Sequence, residues 1–182
     1  MEGAGQLERL KKYGMSEDVS ETIPLNRTVP DIRHPGCKYW HYPPVLPSTS
    51  VVLVFHNEAI SVLLRTVVSI INRSPDHLLH EVLLVDDFSD TEAHPALGEE
   101  LQNWVNTNKK VNLIRNEERQ GLIRSKNIGA SESKAEVVVF LDAHCEVNIN
   151  WLPPLLAPIV EDKKTITVPI IDSIDHTTFE YK

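Results

Sequence analysis

The sequence predicts an α/β domain with a mostly parallel sheet covered by helices on both faces. Three observations lead there. Short apolar runs rich in β-branched residues recur from residue 49 onward, the pattern of strands buried on both faces. Segments with helical apolar spacing separate these runs, which makes βαβ units with right-handed crossovers. Three of the runs stop abruptly in Asp, His, Asn or Glu, as strands do at the ligand edge of an open sheet.

Residues 1–48 read as an extended arm over the domain surface. Within it, residues 7–13 suit a short helix. Pro24, Pro30, Pro35, Pro43, Pro44 and Pro47 then oppose regular structure. The arm's aromatic cluster, Lys38-Tyr39-Trp40-His41-Tyr42, is expected to pin it to the domain, in preference to forming a sugar-binding platform. The domain proper spans residues 49–182. Strands are expected at 50–55, 81–85, 111–114 (the weakest), 137–141 and 165–171. Helices are expected at 60–71, 91–108, 121–133 and 151–161. In the first, Leu63, Leu64, Val67 and Ile71 make one core-facing stripe. The second has acidic residues early and Lys109-Lys110 just past its end, matching the helix dipole. The fourth has Pro153-Pro154 in its first turn.

A chain of 182 residues with 41% hydrophobic and 24% charged residues suits one globular domain. Its net charge of -8 argues against a broad nucleic-acid footprint, but not against a small anion held by a local cation cluster. No apolar stretch reaches the ~20 residues of a membrane helix, and no signal-peptide core follows Met1. Cys37 and Cys145 lack CxxC spacing; they read as free thiols, and a bond between them stays open. Asn26-Arg27-Thr28 and Asn72-Arg73-Ser74 are glycosylation sequons.

The chemistry converges at the strand ends. The first strand ends in Phe55-His56-Asn57-Glu58, the second in Asp86-Asp87-Phe88-Ser89, the fourth in Asp142-Ala143-His144. Parallel strands place His56, Asp86, Asp87, Asp142 and His144 on one edge. Asp142 and His144, at i and i+2 of an extended segment, face one side and suit a divalent ion such as Mn²⁺ or Zn²⁺. One of Asp86 and Asp87 is expected to form a turn, and Glu58 to favour its helix's first turn. Arg119 and Gly121 open the third helix, with Arg124 and Lys126 adding positive charge. Helix end, cation and metal together suit a diphosphate; for Arg124 a solvated basic face is an equal reading. Asp87 is placed to accept from a uracil N–H. These parts describe a nucleotide-sugar transferase.

Several motifs resemble the polypeptide N-acetylgalactosaminyltransferases. They are Phe55-His56-Asn57-Glu58-Ala59 with Leu64-Arg65-Thr66-Val67, Leu84-Val85-Asp86-Asp87-Phe88-Ser89, Arg119-Gln120-Gly121-Leu122-Ile123-Arg124 and Phe140-Leu141-Asp142-Ala143-His144-Cys145-Glu146. Trp151-Leu152, Pro169-Ile170-Ile171-Asp172, Leu25-Asn26-Arg27 and Pro30-Asp31 continue the match in order, nearly end to end. The segment Cys37 to Tyr42 is most similar to the glycopeptide-preferring branch. The resemblance implies a GT-A-type fold and Mn²⁺-dependent, retaining transfer of GalNAc from UDP-GalNAc to Ser or Thr hydroxyls of peptides. It implies Asp142 and His144 as Mn²⁺ ligands, and His56, Asp87, Arg119, Gly121 and Ala143 at the UDP-sugar. It names no catalytic base, because the diphosphate itself is thought to receive the acceptor proton.

Lys126 stands where many members have Arg, and Val54 where several have Thr; Lys keeps the charge without the bidentate fork. By the same resemblance the chain stops soon after its fifth strand. A third metal ligand, the acceptor half, a partner for Cys37 and a lectin domain would follow it. A membrane anchor would precede it, in a Golgi-lumenal enzyme. The 182-residue chain alone is then expected to be inactive. The alternative is a truncated, non-catalytic UDP- or partner-binding module of the same family.

Overall fold

Four parallel strands in the order β3-β2-β1-β4 organise the chain. In this computed structural model, residues 12–182 are described. The strands are β1 (Thr49–Phe55), β2 (Leu79–Asp86), β3 (Val111–Arg115) and β4 (Val137–Asp142). The helices are α1 (Glu17–Thr22), α2 (Ile60–Arg73), α3 (Glu99–Asn106), α4 (Leu122–Glu132) and α5 (Leu152–Glu161).

Alternation along the central strands decides which helix covers which face. Val51, Leu53 and Phe55 of β1 and Val82 and Leu84 of β2 face Leu63, Leu64, Val67 and Ile70 of α2 and Leu101 and Val105 of α3. On the other face Val52, Leu83 and Val85 form a second cluster with Val54, Ile114 and Val138. There α4 approaches closely because Gly129 has no side chain. A Cβ at that position would lie 2.4 Å from Val52 Cγ1 and 3.1 Å from Val85 Cγ2. Gly129→Ala should therefore destabilise the fold by about 1–3 kcal/mol through overpacking, despite alanine's better helix propensity. The urea midpoint measures this. Below the sheet, Leu152 and Leu156 of α5 pack with Leu78, Val137 and Val139.

Only β1 and β2 are buried on both faces. β3 and β4 are the sheet's outer strands, and apart from buried Val111 their residues are at least partly exposed, Phe140 to 43%. The expected fifth strand at 165–171 does not form. A strand needs a backbone partner, and this segment pairs with none of the four strands. Ile166, Val168, Ile170 and Ile171 are 78–95% exposed. The apolar pattern was real, but it alone does not close a ladder.

The expected helix at 91–108 starts late. Asp90 Oδ1 accepts the Glu92 and Ala93 amides at 3.0 and 3.1 Å, which makes a turn. Pro95 then begins a short 3₁₀ turn, Pro95–Leu97, and α3 follows only from Glu99.

The arm differs more. Of its expected helix at 7–13, residues 7–11 lie outside the described residues, while Lys12 and Tyr13 are helical. A helix that the prolines did not suggest, α1, lies before Pro24. Tyr39 and Trp40 are 80% and 70% exposed, so the aromatic cluster does not pin the arm. Val29, Ser16 and Ser20, each under 5% exposed, and Arg27 do so instead. At the other end Ile174 and Tyr181 form an antiparallel bridge. The hairpin buries Phe179 against Ala59 and Val62. Cys37 and Cys145 are free thiols.

Candidate donor and metal edge

The strand order fixes where a site can lie. The chain builds β1, β2 and β3 outward in one direction, then returns to place β4 on the far side of β1. Ligands bind outside the carboxyl ends of the strands at such a reversal. Register aligns those ends: Phe55 lies beside Asp86, and Val54 beside Asp142. With strands ~4.8 Å apart, the ends of β2 and β4 are about 10 Å apart across β1.

On the β2 side four of the expected residues meet. The Asp87 backbone carbonyl accepts from His56 Nδ1 and from Arg119 Nη1, each at 3.1 Å. The Asp87 carboxylate is 2% exposed. It accepts the Gln120 amide at 2.7 Å, the Gly121 amide at 3.0 Å and Asn116 Nδ2 at 2.9 Å, and pairs with Arg119 at 3.1 Å. Asp87 thus holds the loop that opens α4 against the end of β2. Gly121 precedes α4 with φ 78°, a backbone that favours glycine. Burial opposes the Asp87 charge. The Gln120 amide, the Asn116 carboxamide, the Gly121 amide and Arg119 outweigh it and hold the pKa below the usual carboxylate value.

The folded pKa therefore lies below the unfolded one. Stability from this group is present above about pH 4 and is lost as pH falls through the depressed folded value. Asp87→Asn should be less stable than the wild type at neutral pH and should lose less on acidification. Urea titrations on either side of about pH 4 read this directly.

Asp86 does other work. Its Oδ1 accepts the Ser89 amide at 2.9 Å and its Oδ2 pairs with Arg115. It is the turn-forming member of the pair. Phe88, which follows the pair, has φ 61° and is 52% exposed, an uncommon backbone for a bulky residue and one that clusters at functional sites.

On the β4 side Asp142 ends the strand and His144 sits in the following turn, both exposed. His144 Nδ1 lies 3.3 Å from Glu58 Oε2. That hydrogen bond raises the His144 pKa, with partial burial opposing and the Glu58 and Asp142 charges adding to it. Ala143 between them is 3% exposed and packs into the main core; its carbonyl accepts from Thr66 Oγ1 at 2.9 Å. Its side chain therefore faces the core, and it fixes the two flanking side chains at the edge. A carboxylate oxygen and an imidazole nitrogen fit a borderline divalent ion. Among the described residues no third His, Cys, Asp or Glu joins them as a metal-holding group.

The turn is mounted from beneath by α2 and the arm. Ser69 Oγ accepts the Val147 amide at 3.1 Å, and Arg73 Nη1 donates to the Val147 carbonyl at 2.5 Å. Arg27 grips Glu146 with two bonds of 2.7 Å. Buried Arg65 lies 4.0 Å from the same carboxylate. A cleft of about 400 Å³ runs between this turn, α2 and the hairpin, lined by Glu58, Thr66, His144, Glu146 and His176 among others.

Arg124 is exposed, in line with the solvated-face reading. Lys126 lies 5.8 Å over the Phe140 ring. Val54 packs in the second core cluster. Sequence reasoning gave no role to Asn116, which ties Asp87 to Ser125 Oγ at 3.0 Å. It likewise missed the contact of Glu58 with His144. A polar residue directly after β3 was the available signal for Asn116; none existed for the second.

Comparison with known proteins gives the family and the fold. The Glycosyl transferase family 2 model matches residues 50–182. N-acetylgalactosaminyltransferase 7 of Drosophila melanogaster is 57% identical over 172 residues, 94% of this chain and 29% of that protein. Polypeptide N-acetylgalactosaminyltransferase 13 of Homo sapiens is 57% identical over 163 residues, 89% of this chain and 29% of that protein. The chain thus spans under a third of these relatives' length. A crystal structure of GalNAc-T7 with UDP, GalNAc and Mn²⁺ superposes with a TM-score of 0.94 at 45% identity, covering 98% of this chain and 33% of that one. The fold is accordingly of the GT-A type. The chain belongs to glycosyl transferase family 2, and 94% of it aligns with polypeptide N-acetylgalactosaminyltransferase 10 of Homo sapiens at 48% identity.

Proposed function

We propose that this chain is the donor half of a polypeptide N-acetylgalactosaminyltransferase. In this reading it binds UDP-GalNAc with Mn²⁺, and the sugar passes with retention to Ser or Thr hydroxyls of a peptide in the Golgi lumen. One observation carries it: the cation-and-amide cluster around Asp87 and the Asp142/His144 pair occupy the same sheet edge on either side of β1. The relative of known structure holds UDP, GalNAc and Mn²⁺.

Each residue has a part. His56 and Arg119 converge on the Asp87 carbonyl and would flank the nucleotide. The free capacity of Arg119, half exposed, with the start of α4 behind it, would meet a phosphate. Asp142 and His144 would hold Mn²⁺ together with diphosphate oxygens. When bound, the ion supplies Lewis-acid stabilisation of the leaving nucleotide. Ala143 would set the spacing of the two ligands.

The test is product formation. A protein with the full length of the relatives, given UDP-GalNAc, Mn²⁺ and a Ser/Thr peptide, should add one N-acetylhexosamine mass to the peptide. A UDP-GalNAc that stays intact, or product formed equally without divalent ion, would refute the reading.

A further inference from the structure

We propose that Glu58 is a positioning residue that presents His144 to the cation; this rests on the donor-site reading above. His144 has a half-exposed ring whose Nδ1 lies 3.3 Å from Glu58 Oε2. A neutral imidazole carries one N–H and one lone pair, and which nitrogen holds the proton is set by the partner of the other. An ionised carboxylate only accepts. Glu58 therefore selects the form with the proton on Nδ1 and leaves the Nε2 lone pair for the ion. A carboxylate behind a ligating histidine also raises the ring's basicity and fixes its orientation.

Glu58 is itself held. Its side chain is 13% exposed and its second oxygen accepts the Ala59 amide at 3.2 Å. The preceding Asn57 has φ 53°. Its amide donates to Ser89 Oγ at 2.9 Å, and its side-chain oxygen accepts the Asp90 amide at 2.8 Å. Ala59 behind it is 1% exposed and is the N-cap of α2. A loosely hinged surface carboxylate would have none of these restraints. The pair also spans the reversal in strand order, since Glu58 follows β1 and His144 follows β4. The end of β1 and the turn after β4 are thereby joined by a hydrogen bond at the site edge.

Two measurements test this, on the wild type, Glu58→Gln and Glu58→Ala. The first is a long-range nitrogen–proton NMR correlation of the His144 ring without metal, at about pH 9, where imidazole is neutral. The wild type and Glu58→Gln, which keeps an acceptor oxygen, should show the Nδ1–H form. Glu58→Ala should shift to the Nε2–H form that free imidazole side chains favour. The second is Mn²⁺ affinity with UDP present, from the paramagnetic resonance of free Mn²⁺. Glu58→Ala should weaken it about 10–100-fold. An Nε2–H ring in the wild type, or an Nδ1–H ring unchanged in Glu58→Ala, overturns the proposal. Unchanged Mn²⁺ affinity in Glu58→Ala overturns it too. Asp142→Ala separates the underlying reading. If that variant keeps full Mn²⁺ affinity while the ring still follows Glu58, the donor-site reading fails and the Glu58–His144 coupling stands.

Discussion

Glu146→Ala should destabilise the protein by about 3–5 kcal/mol, the loss expected when one partner of a buried ion pair is removed. The Glu146 side chain is 5% exposed and faces two guanidinium groups. Arg65, 1% exposed, donates to Ser20 Oγ and to the Ser20 carbonyl. Its Nε has no hydrogen-bond partner, and the Glu146 carboxylate 4.0 Å away is the countercharge. Burial lowers the Arg65 pKa and the Glu146 charge raises it. Without the carboxylate two cations would face each other across an uncharged gap.

The effect should reach further than Glu146 itself. Arg27 also donates to the Phe179 carbonyl at 2.7 Å, and the Arg65 guanidinium stacks 5.4 Å over the Phe179 ring. Arm, α2, the turn after β4 and the hairpin are linked through this one carboxylate and its arginines. Equilibrium unfolding in urea is the measurement. An unfolding free energy within about 0.5 kcal/mol of wild type, the range of ordinary surface substitutions, would show that the cluster is not a structural mount. Replacing both Glu146 and Arg65 by apolar residues should recover part of the loss.

Asp142→Ala should do the opposite: leave stability nearly unchanged and remove metal-dependent nucleotide binding. Its side chain is exposed at the end of β4, so substitution leaves no cavity and no buried unpaired group. In the proposed reading its carboxylate is one of the two groups among the described residues that would hold the ion. Partners outside the coordination shell are worth about 10–100-fold in metal affinity, so losing a ligand should reduce Mn²⁺-dependent UDP affinity by at least about 100-fold. Calorimetry on the variant, beside its urea curve, reads both quantities. The two variants thus separate the mount from the ligand, although they lie four positions apart in one turn.

The parts of this structure that were legible in the sequence are those governed by short periodicity. β1 and β2 are buried on both faces, so each reads as an unbroken apolar run, and α2 shows its stripe openly. Their polar endings placed His56, Asp87, Asp142 and His144 on one edge, because parallel strands present their carboxyl ends together. Arg119 and Gly121 were legible as a helix start. What escaped depends on partners distant in the chain. Glu146 meets Arg27 across 119 positions, and Glu58 meets His144 across 86. No spacing rule connects such residues. Residues 165–171 have the composition of a strand, but pairing is a property of the neighbour. Tyr39 and Trp40 looked like anchors because aromatics bury area well; a bidentate arginine and small buried hydroxyls hold the arm instead.

The most direct test of the account is calorimetric titration of UDP into this chain with and without Mn²⁺, beside Asp142→Ala. The account predicts binding that depends on Mn²⁺ in the wild type and is lost in the variant. UDP binding of equal strength with and without Mn²⁺, unchanged by Asp142→Ala, would contradict it.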